Sequence, residues 1–170
     1  MALIKSLNNL HPIIAADVFL ADNATIIGDV SIAKGSSVWF NSTIRGDVNS
    51  IVIGNNVNIQ DGVVVHCTYQ KTKTVIGNNV SIGHNAIIHG CKIEDNVLIG
   101  MGAIIMDGAL IQKNSIVAAG SIVTKNTLVP SGSVFAGLPA KLIRNISEEE
   151  IYDLTKNMAD NYIKYSSWYL

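Results

Sequence analysis

Little in this chain is aromatic and little is charged. Aromatic residues make up 6% and charged residues 15% of its 170 positions, and the formal net charge is −1. A balance near zero with no basic block argues against nucleic acid as a partner, because binding a polyphosphate needs a concentrated patch of Lys and Arg. No apolar run approaches the roughly 18 residues that span a bilayer, which argues against a membrane protein. Met1 to Leu10 lacks the apolar core of a signal peptide. The two cysteines, Cys67 and Cys91, have no CxxC-type metal spacing and are expected to be small packed thiols, reduced in a cytoplasmic protein. Few rings and many aliphatics suit a narrow core built by stacking.

The aliphatics keep time. Ile14, Leu20, Ile26, Ile32, Val38 and Ile44 stand six apart, as do Ile53, Ile59 and Val65, then Ile76, Ile82 and Ile88. Ile93, Ile99, Ile105, Ile111, Val117, Val123, Val129 and Phe135 complete the series. The interval is nine after Ile44, eleven after Val65 and five after Ile88. A six-residue period marks a parallel β-helix, in which three short strands make one coil and every third aliphatic returns to the same face. Gly54-Asn55-Asn56 and Gly77-Asn78-Asn79 suit the tight corners between strands. An α-helical reading fails on period, β-branching and frequent Gly.

The expected organisation is one β-helix domain over residues 1–146 and a C-terminal helix over 147–170. Within the first, residues 1–13 form a lead-in cap, 67–74 an inserted loop and 136–146 an exit segment around Pro139. Ser147 with Glu150 three residues on is a capping box, and Glu148 and Glu149 suit the positive end of a helix dipole. Ile151, Leu154, Met158, Tyr162, Tyr165 and Tyr169 form a stripe that can pack along the β-helix.

Counting faces assembles a candidate site. Ile44, Val65 and Ile88 lie three aliphatic positions apart, so the residues after them, Arg45, His66 and His89, form one column about 4.8 Å apart. Ile59 and Ile82 stack on another face, which brings Gln60 over Gly83 and Asp61 over His84. His84 thus lies around a corner from His66 and His89. The three histidines can share one ion only if a neighbouring subunit supplies the third, and closed three-fold symmetry is the straightforward solution. Three neutral histidines with one open position are the ligand set of a catalytic zinc, which lowers the pKa of its bound water to about 7. His11 lies outside the pattern and is expected to be structural.

At Arg45-Gly46-Asp47, Asn58-Ile59-Gln60-Asp61-Gly62, His66 and Gly83-His84-Asn85-Ala86-Ile87-Ile88-His89-Gly90, the chain resembles the γ-class carbonic anhydrases and their hexapeptide-repeat relatives. The resemblance covers essentially the whole chain. It implies an all-β, left-handed parallel β-helix with a C-terminal α-helix, assembled as a homotrimer with Zn2+, or Fe2+ or Co2+, at each interface. It implies that Arg45 pairs with Asp47 and, across the interface, with Asp61, that Gln60 orients the metal-bound hydroxide, and that Tyr162 hydrogen-bonds near the substrate. The implied activity is reversible hydration of CO2 to bicarbonate. Clear hydratases carry a glutamate shortly after the RGD-like aspartate and an acidic loop after the first histidine. Here Val48 follows Asp47 and the Cys67-to-Thr74 loop has no carboxylate, so weak activity is expected. Metal-dependent hydrolysis of another small carbonyl compound such as an acyl-CoA thioester, CoA-dependent acyl transfer, and a non-catalytic scaffold role stand as alternatives.

Overall fold

A computed structural model describes residues 1–153 and 157–169. It is a left-handed parallel solenoid of about seven turns followed by a short C-terminal helix. Each turn supplies short strands whose backbone groups bond to the turns above and below, so even two-residue strands are fully paired. The aliphatic metronome becomes three inward columns. On the first face the register runs Ile26, Ile44, Val65, Ile88, Ile105, Val123. On the second it runs Ile14, Ile32, Ile53, Ile76, Ile93, Ile111, Val129. On the third it runs Leu20, Val38, Ile59, Ile82, Ile99, Val117, Phe135. Most of these side chains are fully buried, with Ile44, Ile59, Ile82 and Ile88 among the largest.

Two long strands, Thr25–Ile32 and Thr43–Ile53, turn the corner between the first and second faces and join them into one twelve-stranded sheet; the third face is an eight-stranded sheet. Gly46 sits in that corner between Arg45 and Asp47. A Cβ there would stand 2.4 Å from the Asp29 carbonyl oxygen, so the turn can pack on its predecessor only with glycine.

Another edge relies on asparagine in the left-handed region. Asn56, Asn79, Asn96 and Asn114 all have φ between 53° and 58°. Asn56 donates to Asn79 at 3.1 Å, Asn79 to Asn96 at 3.0 Å and Asn96 to Asn114 at 3.1 Å, a ladder up one edge of the solenoid. Asparagine tolerates this backbone conformation better than most residues and its amide both donates and accepts.

The two ends carry strands of their own. The lead-in supplies a rung, because Leu3–Lys5 pairs in parallel with Thr25–Ile32. The exit segment folds back, with Ala140–Asn145 antiparallel to Ser133–Gly137. Ser147 and Glu150 form the capping box, opening α1 at Glu148–Ile151, and α2 spans Asn157–Ser166. Leu154 of the apolar stripe lies outside the described residues. Trp39 anchors the C-terminal segment: its ring lies 5.4 Å from Tyr162 and 5.6 Å from Tyr169. Among the described residues no helix is long and apolar enough to cross a membrane.

Candidate metal centre

His66 and His89 close the strands Val64–His66 and Ile87–His89 and stand directly opposite each other in register. Arg45 follows Ile44, the partner of Val65, one turn below. The His66 Nδ1 and His89 Nε2 atoms are 3.2 Å apart. The outer nitrogen of each ring meets a carboxylate: His66 Nε2 lies 3.0 Å from Asp47 Oδ1, and His89 Nδ1 lies 3.1 Å from Asp107 Oδ2.

Both carboxylates are themselves held. Arg45 donates to Asp47 Oδ2 at 2.5 Å. Burial pushes Asp47 up, but hydrogen bonds from Arg45 and His66 outweigh it and hold the carboxyl below its ordinary value. Asp107 accepts from Thr68 Oγ1 and Thr72 Oγ1, each at 2.7 Å. Burial again raises it, and the Thr72, Thr68 and His89 contacts bring it below the usual carboxylate range.

Ionised acceptors on the outer nitrogens place the ring protons there. The inner nitrogens are 3.2 Å apart, a distance that suits an N–H···N hydrogen bond when either ring is doubly protonated and a shared cation when neither is. Two nitrogens at zinc–nitrogen distances of about 2.0–2.1 Å in tetrahedral geometry stand roughly 3.3 Å apart. The donor set therefore fits a divalent ion, with a carboxylate behind each imidazole as metal-binding histidines commonly have.

His84 lies elsewhere. It follows Ser81–Ile82 on the third face, where its Nδ1 is 2.9 Å from Asp61 Oδ2 and both side chains are 41% exposed. Within one chain Asp61 thus pairs with His84, and Arg45 with Asp47. Among the described residues no three His, Cys, Asp or Glu side chains converge as a metal-holding group in a single chain. Gln60 is buried, and its Nε2 donates to Asn58 Oδ1 at 3.0 Å. Gln60, His84 and Tyr162 line one cavity of about 520 Å³ between the third face and α2, with Leu98, Met101 and Ile116 among its apolar walls. Burial, with Asp61 and Tyr165 nearby, pushes the Tyr162 phenol up to about 12, so it remains a hydrogen-bond donor at neutral pH.

The cysteines are free and buried. Burial raises both thiols, Cys91 to about 12, and Cys67 donates to the Asn49 carbonyl at 3.3 Å. Neither offers a thiolate ligand. His11 contacts Ser6 at 2.6 Å, away from the site.

Asp107, Thr68 and Thr72 were not among the residues singled out from sequence. A signal for Asp107 exists. Ile105 stacks on Ile88, so extending the face count one turn past His89 reaches Met106 and then Asp107.

Family models for hexapeptide repeats match the chain: "Bacterial transferase hexapeptide (six repeats)" over residues 73–106 and "Hexapeptide repeat of succinyl-transferase" over 90–125. A Methanocaldococcus jannaschii protein named "Probable carbonic anhydrase" is 50% identical over 90% of this chain and 95% of its own length. Arabidopsis thaliana "Gamma carbonic anhydrase 2, mitochondrial" is 47% identical over 89% of this chain, which spans 56% of that longer protein. The crystal structure of a hexapeptide transferase family protein from Anaplasma phagocytophilum superposes with a TM-score of 0.94 at 43% identity, covering 99% of this chain and 98% of the other.

Proposed function

The chain belongs to the γ-class carbonic anhydrase-like family of hexapeptide-repeat proteins, and from that premise we propose that it hydrates CO2 reversibly at a divalent metal shared between subunits. The observation that carries this reading is the pair of inner imidazole nitrogens 3.2 Å apart, each ring backed by an ionised carboxylate. His66 and His89 hold the ion, and His84 of a neighbouring copy completes the set. When bound, the ion supplies a water acidic enough to ionise near neutral pH.

The remaining roles belong to side chains. Gln60, fixed by Asn58, orients the attacking oxygen. Arg45 steadies Asp47 and offers its remaining donors to bicarbonate, while Tyr162 donates from the cavity wall. Without a carboxylate in the 67–74 loop, proton transfer to solvent limits the rate. General acid–base help is worth about 10²–10⁴-fold.

The separation of His84 from the other two histidines supports a site shared between copies, for which a closed homotrimer is the simplest arrangement. The first face also presents an outward apolar stripe beside the histidine column, with Val64 39% and Ile87 37% exposed and Ile104 above them. On the third face Leu98 and Met101 border His84. Two apolar surfaces, each flanking one part of the site, suit a subunit interface. The buried thiols accord with a reducing, cytoplasmic setting.

Metal content and oligomeric mass on protein purified without chelator or affinity metal, with stopped-flow CO2 hydration on the same sample, test the proposal. One metal per chain in a trimer, with hydration above buffer, is expected; a metal-free protein overturns it. A second reading has one observation in its favour: a cavity of about 520 Å³ is far larger than CO2 needs. Metal-dependent hydrolysis of a larger carbonyl substrate, such as an acyl-CoA thioester, would use that space. Metal without hydration, together with thioester turnover, would select it. CoA-dependent acyl transfer and a scaffold role leave the paired imidazoles unexplained.

A further inference from the structure

The inserted loop, Cys67 to Thr74, carries no proton-relaying acid. Its threonines have partners. Thr68 and Thr72 both direct their hydroxyls onto Asp107 Oδ1, and the opposite oxygen of that carboxylate meets His89 Nδ1. The loop also closes on itself, with the Thr68 amide donating to Thr72 Oγ1 at 3.2 Å and the Lys71 amide to the Thr68 carbonyl at 3.1 Å. At its end Thr74 Oγ1 donates to the His66 carbonyl at 2.6 Å and accepts from the Gly90 amide at 3.0 Å. The loop thereby grips the backbone after both histidines.

Gly90 gives an independent sign of how tight this is. A Cβ at Gly90 would stand 2.2 Å from Thr72 Oγ1 and 2.3 Å from Asp107 Oδ1, and its φ is +57°. The residue after His89 has no side chain because the Thr72–Asp107 pair occupies that space.

We propose that the inserted loop is a brace for the metal site, in which Thr68 and Thr72 act through Asp107 as positioning residues for His89. This rests on the metal-site reading. Asp107 accepts the Nδ1 proton of His89, which fixes the ring in the tautomer with Nε2 unprotonated and aimed at His66. Two hydroxyl donors hold the carboxylate in one rotamer, so the ring is oriented before any ion arrives. Removing such an outer partner typically weakens metal binding by about 10–100-fold.

The experiment compares the intact protein with Thr68→Val/Thr72→Val, Thr68→Ser/Thr72→Ser and Asp107→Asn. The first readout is Zn2+ affinity by competition with a chromophoric chelator. The second, on metal-free protein, is the His89 tautomer from ring-nitrogen NMR shifts. The double valine variant should bind Zn2+ about 10-fold or more weakly and show a mixed His89 tautomer, as should Asp107→Asn. The double serine variant keeps both hydroxyls and should restore both readouts, which separates positioning from a general loss of fold. Unchanged affinity and an unchanged tautomer in the valine variant would overturn the brace. If the intact protein binds no Zn2+, the metal reading fails, and the tautomer measurement still decides whether the loop positions His89.

Discussion

The first and third faces each carry histidine beside carboxylate, yet they are built differently. On the first, His66 and His89 are backed by Asp47 and Asp107, and each carboxylate is held from behind by Arg45 or by the loop threonines. On the third, among the described residues, His84 pairs with Asp61, and both side chains are 41% exposed. Placing a ligand before binding lowers the ordering cost that binding must meet. In the proposed shared site, the difference means that one chain pre-arranges the first half by itself, while the second half is the one a neighbouring copy would bring.

The largest test of that contrast is complementation. His84→Ala and His89→Ala should each abolish stoichiometric metal, by more than the roughly 100-fold that a supporting partner is worth. Coexpressing the two variants should restore metal at interfaces where an intact His66–His89 pair meets an intact His84. Metal analysis of the mixed protein showing none would break the idea of a shared site.

Next is Ile87→Glu, which sets an unpaired charge in the apolar stripe. An uncompensated buried charge costs roughly 3–5 kcal/mol, so sedimentation should show the proposed trimer dissociating while circular dichroism stays native. Ile88→Ala, at the buried position next to His89 in the same strand, should cost roughly 2–5 kcal/mol in denaturant unfolding. It should also loosen metal on the first face, because Ile88 and Val65 carry the paired histidines. Arg45→Ala frees Asp47 and should weaken Zn2+ binding about 10–100-fold and destabilise the proposed trimer at low micromolar concentration. Asp61→Asn, on the exposed pair, should do less to Zn2+ affinity; an equal effect would erase the distinction between the faces.

The smallest effect lies far from both faces. Arg144, with the Ser147 cap, draws Glu150 down to about 2 from 4.5. A depressed carboxylate stabilises the folded chain above pH 4.5, and that support is lost as pH falls through about 2. Aromatic circular dichroism from the C-terminal segment should therefore change at lower pH than an unpaired glutamate would allow.

Much of the first face was legible because the period is rigid. Once Ile44, Val65 and Ile88 share a column, the residue after each must share the next one, and His66 over His89 is the result. The three departures from six, after Ile44, Val65 and Ile88, all fall at the corner following that column. The repeat therefore marked the place where chemistry interrupts it. Asp107 escaped notice because it sits one turn beyond the last histidine, at a corner where the period says nothing about side-chain direction. Thr68 and Thr72 escaped because an aperiodic loop has no register to count. The pairing of Arg45 with Asp47 came only from family resemblance. The rung formed by Leu3–Lys5 was missed because it precedes the first clear repeat.

The asparagine ladder has a further consequence. The turns around the site are unequal: successive ladder positions, Asn56, Asn79, Asn96 and Asn114, are separated by 23, 17 and 18 residues, yet their amides meet at nearly constant spacing. The ladder works as a phase lock. It realigns the winding at one edge on each turn from Asn56 to Asn114, so residues gained or lost at the site's corner do not propagate along the solenoid. Doubling the length of a flexible loop costs only about 0.6 kcal/mol in closure entropy. That corner can thus change its length and chemistry while the rest of the solenoid stays in step.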